Sequence, residues 1–100
     1  LCDLLGGNHN HAIPIDGNIW STTQWDVASL ETLATDLVAQ RYRAIKSHPM
    51  LNHTAQDAAN CVNQVRAAIG GDIALLVDLD SQNNADAAIQ IAQAIEPAHP

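Results

Sequence analysis

Phenylalanine is absent from this chain of 100 residues, and its aromatic complement is one Tyr and two Trp. A core built on stacked rings is therefore excluded. The apolar share of 47% rests instead on Ala, Leu, Ile and Val, small side chains that suit helices laid closely on a sheet. Basic residues are equally scarce. Four Lys+Arg against eleven Asp+Glu give a formal charge of −7 and a pI near 4.7. So few cations cannot track a phosphate backbone or an anionic bilayer, which excludes nucleic acid and membrane as partners and leaves a small acid or a metal ion.

Cysteine is limited to Cys2, alone at the chain start, and Cys61, on the apolar face of a predicted helix. No disulfide framework follows from that pair, which fits a reducing, cytoplasmic compartment. No apolar run approaches the roughly 20 residues that span a bilayer. The first residues also lack the basic and apolar regions of a signal peptide. A length of 100 residues allows one small domain or part of a larger one. Leu1-Cys2-Asp3-Leu4-Leu5-Gly6-Gly7 reads as the end of a helix with a glycine stop, so an upstream segment is expected.

What is present is an alternation of short aliphatic strands and amphipathic helices. Ala12 to Trp20 reads as a first strand, with Pro14 near its start or on an edge because proline has no N–H for the ladder. From Asp26 to Gln40 the residues Val27, Leu30, Leu33, Ala34, Leu37 and Val38 form one helical stripe, with Asp26 as N-cap. Tyr42 to Ser47 is the second strand. Thr54 opens a second helix, paired with Asp57 in a capping-box pattern, whose apolar face is Ala58, Cys61, Val62, Val65 and Ile69. Gly70-Gly71 ends it. Ile73 to Val77 is a continuous aliphatic run, as expected of a parallel strand covered on both faces. Asn83 or Asn84 caps a third helix carrying Ala85, Ala88, Ile89, Ala92 and Ile95, closed by Pro97. The order β-α-β-α-β-α predicts an α/β fold with a parallel sheet and right-handed crossovers.

Chemistry collects at the carboxyl ends of such strands. Strand alternation gives Tyr42, Ala44, Lys46 and His48 one face, and puts Ala74, Leu76 and Asp78 on one face of the later strand. Asp80 joins them if the extended conformation continues. A Lys, a His and carboxylates at one sheet end suit abstraction of a proton next to a carboxylate, with a divalent ion stabilising the developing enediolate. Each group also has an ordinary role: Lys46 as a strand-end lysine reaching solvent, His48 as a loop residue ahead of Pro49, and Asp78 and Asp80 as turn caps. His9-Asn10-His11 has a spacing that can bind metal but lacks a second ligand pair, and reads as a surface loop. His53 reads as a helix-entry residue, and Ser21-Thr22-Thr23 as turn chemistry.

Leu4-Leu5-Gly6-Gly7 with Ile13-Pro14, then Tyr42-Arg43-Ala44-Ile45-Lys46, Val65-Arg66-Ala67-Ala68-Ile69-Gly70 and Leu76-Val77-Asp78 together resemble the mandelate racemase/muconate lactonizing branch of the enolase superfamily. The similarity runs in order along nearly the whole chain. It implies a capping domain joined to a modified TIM barrel that binds Mg²⁺ and removes the α-proton of a carboxylate. Residues 1–11 would be the end of the capping helix and a linker, and residues 12–100 the first three strand-helix units of a partial (β/α)8 barrel. Lys46 matches the first lysine of a Lys-x-Lys pair, and His48 stands where the second, usually the base, would be. An imidazole titrates near neutrality and can replace it. Asp78 matches the family's first metal ligand, and Asp80 occupies the position of a usual Asn. Arg41 stands where many relatives place a helix-stopping Gly, so a left-handed non-glycine residue is expected there.

The resemblance further implies that the other carboxylate ligands come from the fourth and fifth barrel strands, outside these residues. The chain alone is then expected to be inactive, and its open sheet edges to be covered by the rest of a longer chain or by another copy. An acid-sugar dehydratase or racemase with a small carboxylate or sugar-acid substrate is the expected whole. The competing reading is a non-catalytic, self-associating module built from barrel pieces. A flavodoxin-like receiver with Asp78 as phosphoacceptor is a third, although Asp16 stands alone where such a fold needs an acidic pair.

Overall fold

The computed structural model describes residues 2–7, 12–20, 27–49, 54–80 and 84–100. Six regular elements alternate along the chain: β1 (Gly17–Ile19), α1 (Val27–Ala39), β2 (Ala44–Ser47), α2 (Ala55–Ile69), β3 (Ala74–Val77) and α3 (Ala85–Ile95). Short 3₁₀ turns at Cys2–Leu5 and Glu96–Ala98 flank them. The strands form one parallel sheet in the order β1-β2-β3, with Gly17 opposite Ile45 and Ile45 opposite Leu75. Each strand thus lies beside the one before it, as in a barrel wall. A flavodoxin-like sheet has the order 2-1-3, so the receiver reading is excluded.

One face of the sheet is covered. Ile19, Ile45, Ser47 and Leu75 are buried against the helices with Leu30, Ala34, Ala58, Val62, Val65, Ile91 and Ile95. The opposite face is open, since Leu76 in the middle of β3 is 43% exposed. The expectation that this strand is covered on both faces is therefore corrected: its aliphatic run faces helices on one side only within this chain. This is a partial TIM-type barrel, three strand-helix units with the inner surface bare.

Local chemistry explains the element ends. The capping box forms as predicted, with the Asp57 amide donating to Thr54 Oγ1 (3.2 Å) and the Thr54 amide donating to Asp57 Oδ2 (3.1 Å). Asn84, not Asn83, caps α3 by accepting from the Ala87 amide at 2.9 Å. Gly70, at φ 74°, ends α2. At the end of α1 the Tyr42 amide donates to Leu37 O and the Arg41 amide to Val38 O, the pattern of a Schellman stop. Arg41 holds the left-handed position of that stop at φ 70°, as the missing glycine implied.

Two strand starts and the buried faces of two helices differ from the sequence reading. β1 starts at Gly17, not Ala12, and Ile13 and Ile15 are 76% and 69% exposed. The strand is short because its ladder with β2 runs only from Gly17 to Ile19, and Pro14 could not donate to an extension. β2 begins at Ala44 because Tyr42 is spent on the stop of α1. In α3 the buried isoleucines are Ile91 and Ile95, while Ile89 is 55% exposed. In α1, Leu30 and Ala34 are buried and Leu33 is 43% exposed at the stripe's edge. Asp26, expected as the cap of α1, lies outside the described residues.

Gly17 has a steric role. A Cβ there would lie 2.9 Å from Leu37 Cδ2, so a larger residue would make the Leu37 side chain of α1 shift. Cys61 sits half-buried on α2, and burial, followed by the nearby Asp57 carboxylate, pushes its thiol pKa above the ordinary 9.0. The thiolate is the reactive form. Alkylation of the folded protein is therefore expected to be slow at neutral pH and to accelerate only at a higher pH than for the unfolded chain; coincident pH profiles for the two states would contradict this. Among the described residues no helix is long and apolar enough to cross a membrane.

Candidate functional site

The four predicted site residues meet at the carboxyl edge of β2 and β3. Lys46 points to the open face of β2, and its Nζ lies 3.8 Å from Asp78 Oδ2. The Asp78 amide donates to Ser47 O at 3.0 Å, which carries the ladder one residue past β3 and fixes the carboxylate beside β2. His48 follows β2 as a buried residue, with Nδ1 3.9 Å from Asp78 Oδ2 and 3.9 Å from Asp80 Oδ2.

Asp80 arrives by a different route from the one expected. Its backbone is left-handed at φ 52°, so extended alternation stops before it. Its amide donates to Asp78 Oδ1 at 3.1 Å, a short side-chain turn that bends the chain back toward His48. The turn-capping role of Asp78 and its place in the cluster therefore coexist: Oδ1 closes the turn and Oδ2 faces Lys46 and His48.

Electrostatics follow from this arrangement. The Asp80 amide, and after it His48 and Lys46, hold the Asp78 carboxyl below its ordinary 3.8 against the opposing effect of desolvation. Asp78 is thus an anion throughout the neutral range. Below that range, stability from its folded contacts is present above the ordinary value and is lost as pH falls through the lower folded value. Neither ring nitrogen of His48 has a hydrogen-bond partner among the described residues, and Ser47 Oγ is buried in the same condition.

The sequence reading missed Trp20 as part of this site. Its ring, one residue beyond β1, lies 4.5 Å from the His48 ring centroid to centroid and is tilted by 57°. The signal was positional: an aromatic at the carboxyl end of a strand belongs to the same rim as Lys46 and Asp78. His48, Asp78 and Asp80 form the one group of possible metal ligands found among the described residues, with their donor atoms within 4.8 Å of one another. His9, His11, His53 and the Ser21 to Thr23 hydroxyls lie outside those residues.

Comparison with known proteins gives the setting of this rim. Residues 29–100 match the family described as enolase C-terminal domain-like. The chain is 30% identical over 107 aligned residues to a D-gluconate dehydratase of Thermoproteus tenax, an alignment covering 100% of this chain and 22% of that protein. The fold superposes with a TM-score of 0.75 on a racemase from Streptomyces coelicolor A3(2) with bound magnesium, at 26% identity, covering 87% of this chain and 25% of the other. An enolase from the environmental genome shotgun sequencing of the Sargasso Sea superposes with a TM-score of 0.76 at 23% identity, covering 88% and 23%. The chain spans between 22% and 25% of the length of these relatives.

Proposed function

The chain belongs to the enolase C-terminal domain-like family, and from that premise we propose that it supplies part of the rim of a Mg²⁺-dependent enzyme that abstracts the α-proton of a carboxylate. The carrying observation is the convergence of Lys46, His48, Asp78 and Asp80 at one sheet edge, where Asp78 lies within 4 Å of both Lys46 and His48, and His48 within 4 Å of Asp80. A sugar acid is the favoured substrate class and dehydration the favoured outcome, which the likeness to a D-gluconate dehydratase supports. Racemisation is the runner-up, with the racemase of similar fold on its side.

The donor set fits a hard divalent ion in part. Asp78 and Asp80 bring carboxylate oxygens, the ligands Mg²⁺ prefers, and the side-chain turn between them holds them near one another. When bound, Mg²⁺ would draw charge from a substrate carboxylate and so acidify its α-carbon. Lys46, already paired with Asp78, enters as an ammonium that attracts the substrate anion. His48 has nitrogens free of hydrogen bonds among the described residues and accepts the α-proton. The C–H bond breaks, its proton goes to the imidazole, and its electron pair moves into the carboxylate. Transfer of that proton to a departing β-hydroxyl, as the electron pair closes the new C=C bond, releases water; racemisation instead needs a proton delivered to the opposite face of the carbon by a donor outside these residues. Trp20 lies against the ring in a tilted contact and bounds the space beside it.

The reading also assigns residues 12–100 to the barrel and residues 1–11 to the end of a capping region. Two carboxylates hold Mg²⁺ weakly, so the remaining family ligands are needed, and the chain by itself is proposed to be inactive. Solvent-deuterium exchange into a panel of acid-sugar carboxylates, run with Mg²⁺, tests both statements. The full-length protein is expected to exchange and residues 1–100 alone are not. No exchange by the full-length protein sinks the enzymatic reading, and turnover by residues 1–100 sinks the claim that they are insufficient.

The open inner face supports a second reading, a self-associating module in which Leu76 and the edges of β1 and β3 meet another copy. Sedimentation decides for it if the chain forms a defined, cooperatively melting oligomer that binds no carboxylate.

A further inference from the structure

The cluster at the rim holds a donor that the oxygen chemistry of magnesium leaves unused. The His48 side chain is 7% exposed, and both of its ring nitrogens are shielded from solvent without a partner among the described residues. A neutral imidazole carries one N–H and one lone pair. Burying both unpaired is unfavourable and calls for a cause. Nδ1 is aimed between two carboxylates, at 3.9 Å from Oδ2 of each.

Those distances are near, but wider than, a coordination sphere. An ion 2.0–2.2 Å from each of its donors in a tetrahedral site holds them roughly 3.3–3.5 Å apart. The gap is about half an ångström for each imidazole–carboxylate pair, and all three donors lie within 4.8 Å of one another; rotation of the carboxylates can close the set because the Asp78 side chain is 43% exposed and that of Asp80 29%. The turn in which the Asp80 amide holds Asp78 Oδ1 leaves both Oδ2 atoms on the side of the imidazole.

One imidazole and two carboxylates make a set that favours Zn²⁺ or Co²⁺, whereas Mg²⁺ prefers oxygen donors in a near-ideal octahedron. The geometry points to a site for a borderline divalent cation, held by His48 Nδ1, Asp78 Oδ2 and Asp80 Oδ2 with its remaining positions open. Three protein ligands and an open position are the pattern of zinc sites that take a further ligand. All three come from this chain, so the site needs no carboxylate from another strand. Lys46 shares Asp78 Oδ2 with the ion and is displaced by it.

This ligation stands independently of the proton-abstraction reading and goes beyond it in one respect. Once Nδ1 holds an ion, the proton of the neutral ring sits on Nε2, and no lone pair remains to accept another. The identity of the metal then decides whether His48 is a base or a ligand, and Zn²⁺ loading blocks the exchange that Mg²⁺ loading supports.

The test uses the full-length protein stripped of metal and loaded with Co²⁺, Zn²⁺ or Mg²⁺, with its histidines labelled with ¹⁵N. Zn²⁺ is expected to shift the His48 Nδ1 resonance, and bound Co²⁺ to give a visible d–d absorption that Zn²⁺ abolishes and a roughly hundredfold excess of Mg²⁺ does not. His48→Gln is expected to weaken Co²⁺ binding at least about tenfold. A His48 Nδ1 resonance indifferent to Zn²⁺ overturns the site even if the variant fails to fold. Equal Co²⁺ affinity in a folded variant overturns it as well, as does displacement of Co²⁺ by equimolar Mg²⁺. Deuterium exchange with Mg²⁺, measured in parallel, separates the two ideas: a shifted resonance without exchange leaves this site standing and removes the enzymatic reading, and exchange without a shift does the reverse.

Discussion

Replacing Arg66 by alanine is expected to cost about 3 kcal/mol or more of folding stability, the largest single-residue effect outside the apolar core. The guanidinium donates to four backbone carbonyls: Nε to Ala98 O, one terminal nitrogen to Gly70 O and Ile73 O, and the other to His99 O, at 2.8 to 2.9 Å. Gly70 and Ile73 bracket the passage from α2 into β3, and Ala98 and His99 lie in the turn after α3. One side chain therefore ties three segments together and satisfies carbonyls left over at the end of a helix. Two of the bonds are part-buried, and charge-assisted bonds contribute roughly 1.5–3 kcal/mol each, which sets the floor of the estimate. For a domain of this size that loss lowers the melting temperature by roughly 12 °C or more. Arg66→Lys should recover less than half, since one ammonium cannot reproduce a planar fork reaching four acceptors. A thermal or urea midpoint within error of wild type for Arg66→Ala would show that the clamp is decorative.

Arg66 anchors the amino end of β3, whereas Lys46, His48, Asp78 and Asp80 occupy the carboxyl ends of β2 and β3. Stability at one pole and chemistry at the other is the division expected of barrel units. It also explains what could be read along the chain and what could not. The alternation of elements, the Thr54 and Asp57 box and the Asn84 cap are local features, written within a few residues of where they act, whereas the left-handed Arg41 was expected only from the family resemblance. The convergence of Lys46, His48 and Asp78 was legible because strand parity and parallel topology together define one rim.

Longer-range facts carried no comparable mark. The choice between Ile89 and Ile91 as the buried face of α3 was hidden because alanines surround both and either phase yields an apolar stripe. Gly17 was read only as part of the first strand, and the approach of Leu37 from α1 reveals it as a contact point. The reach of Arg66 over 32 residues to Ala98 has no periodic signature at all. Asp80 was placed in the cluster for an incomplete reason: parity fails at its left-handed backbone, and a side-chain turn brings it to the same spot.

The second large effect concerns the division of labour between Lys46 and His48 in the full-length protein with Mg²⁺. His48→Gln is expected to lower α-proton exchange about 10²–10⁴-fold, the usual contribution of a general base. Glutamine keeps much of the ring's bulk in the buried site beside Trp20 but has no basic nitrogen. Lys46→Met is expected to act mainly on substrate binding, raising KM more than it lowers kcat. Its ammonium is paired with Asp78 at 3.8 Å and offers charge to an incoming anion. Added imidazole should restore part of the exchange in His48→Ala, by filling the space the ring leaves, and should do nothing for Lys46→Met. The opposite pattern, with kcat lost in Lys46→Met and retained in His48→Gln, would make the lysine the base and leave His48 to hold the metal. Each outcome assigns one role to each residue, because a lone pair committed to an ion is not available to a proton.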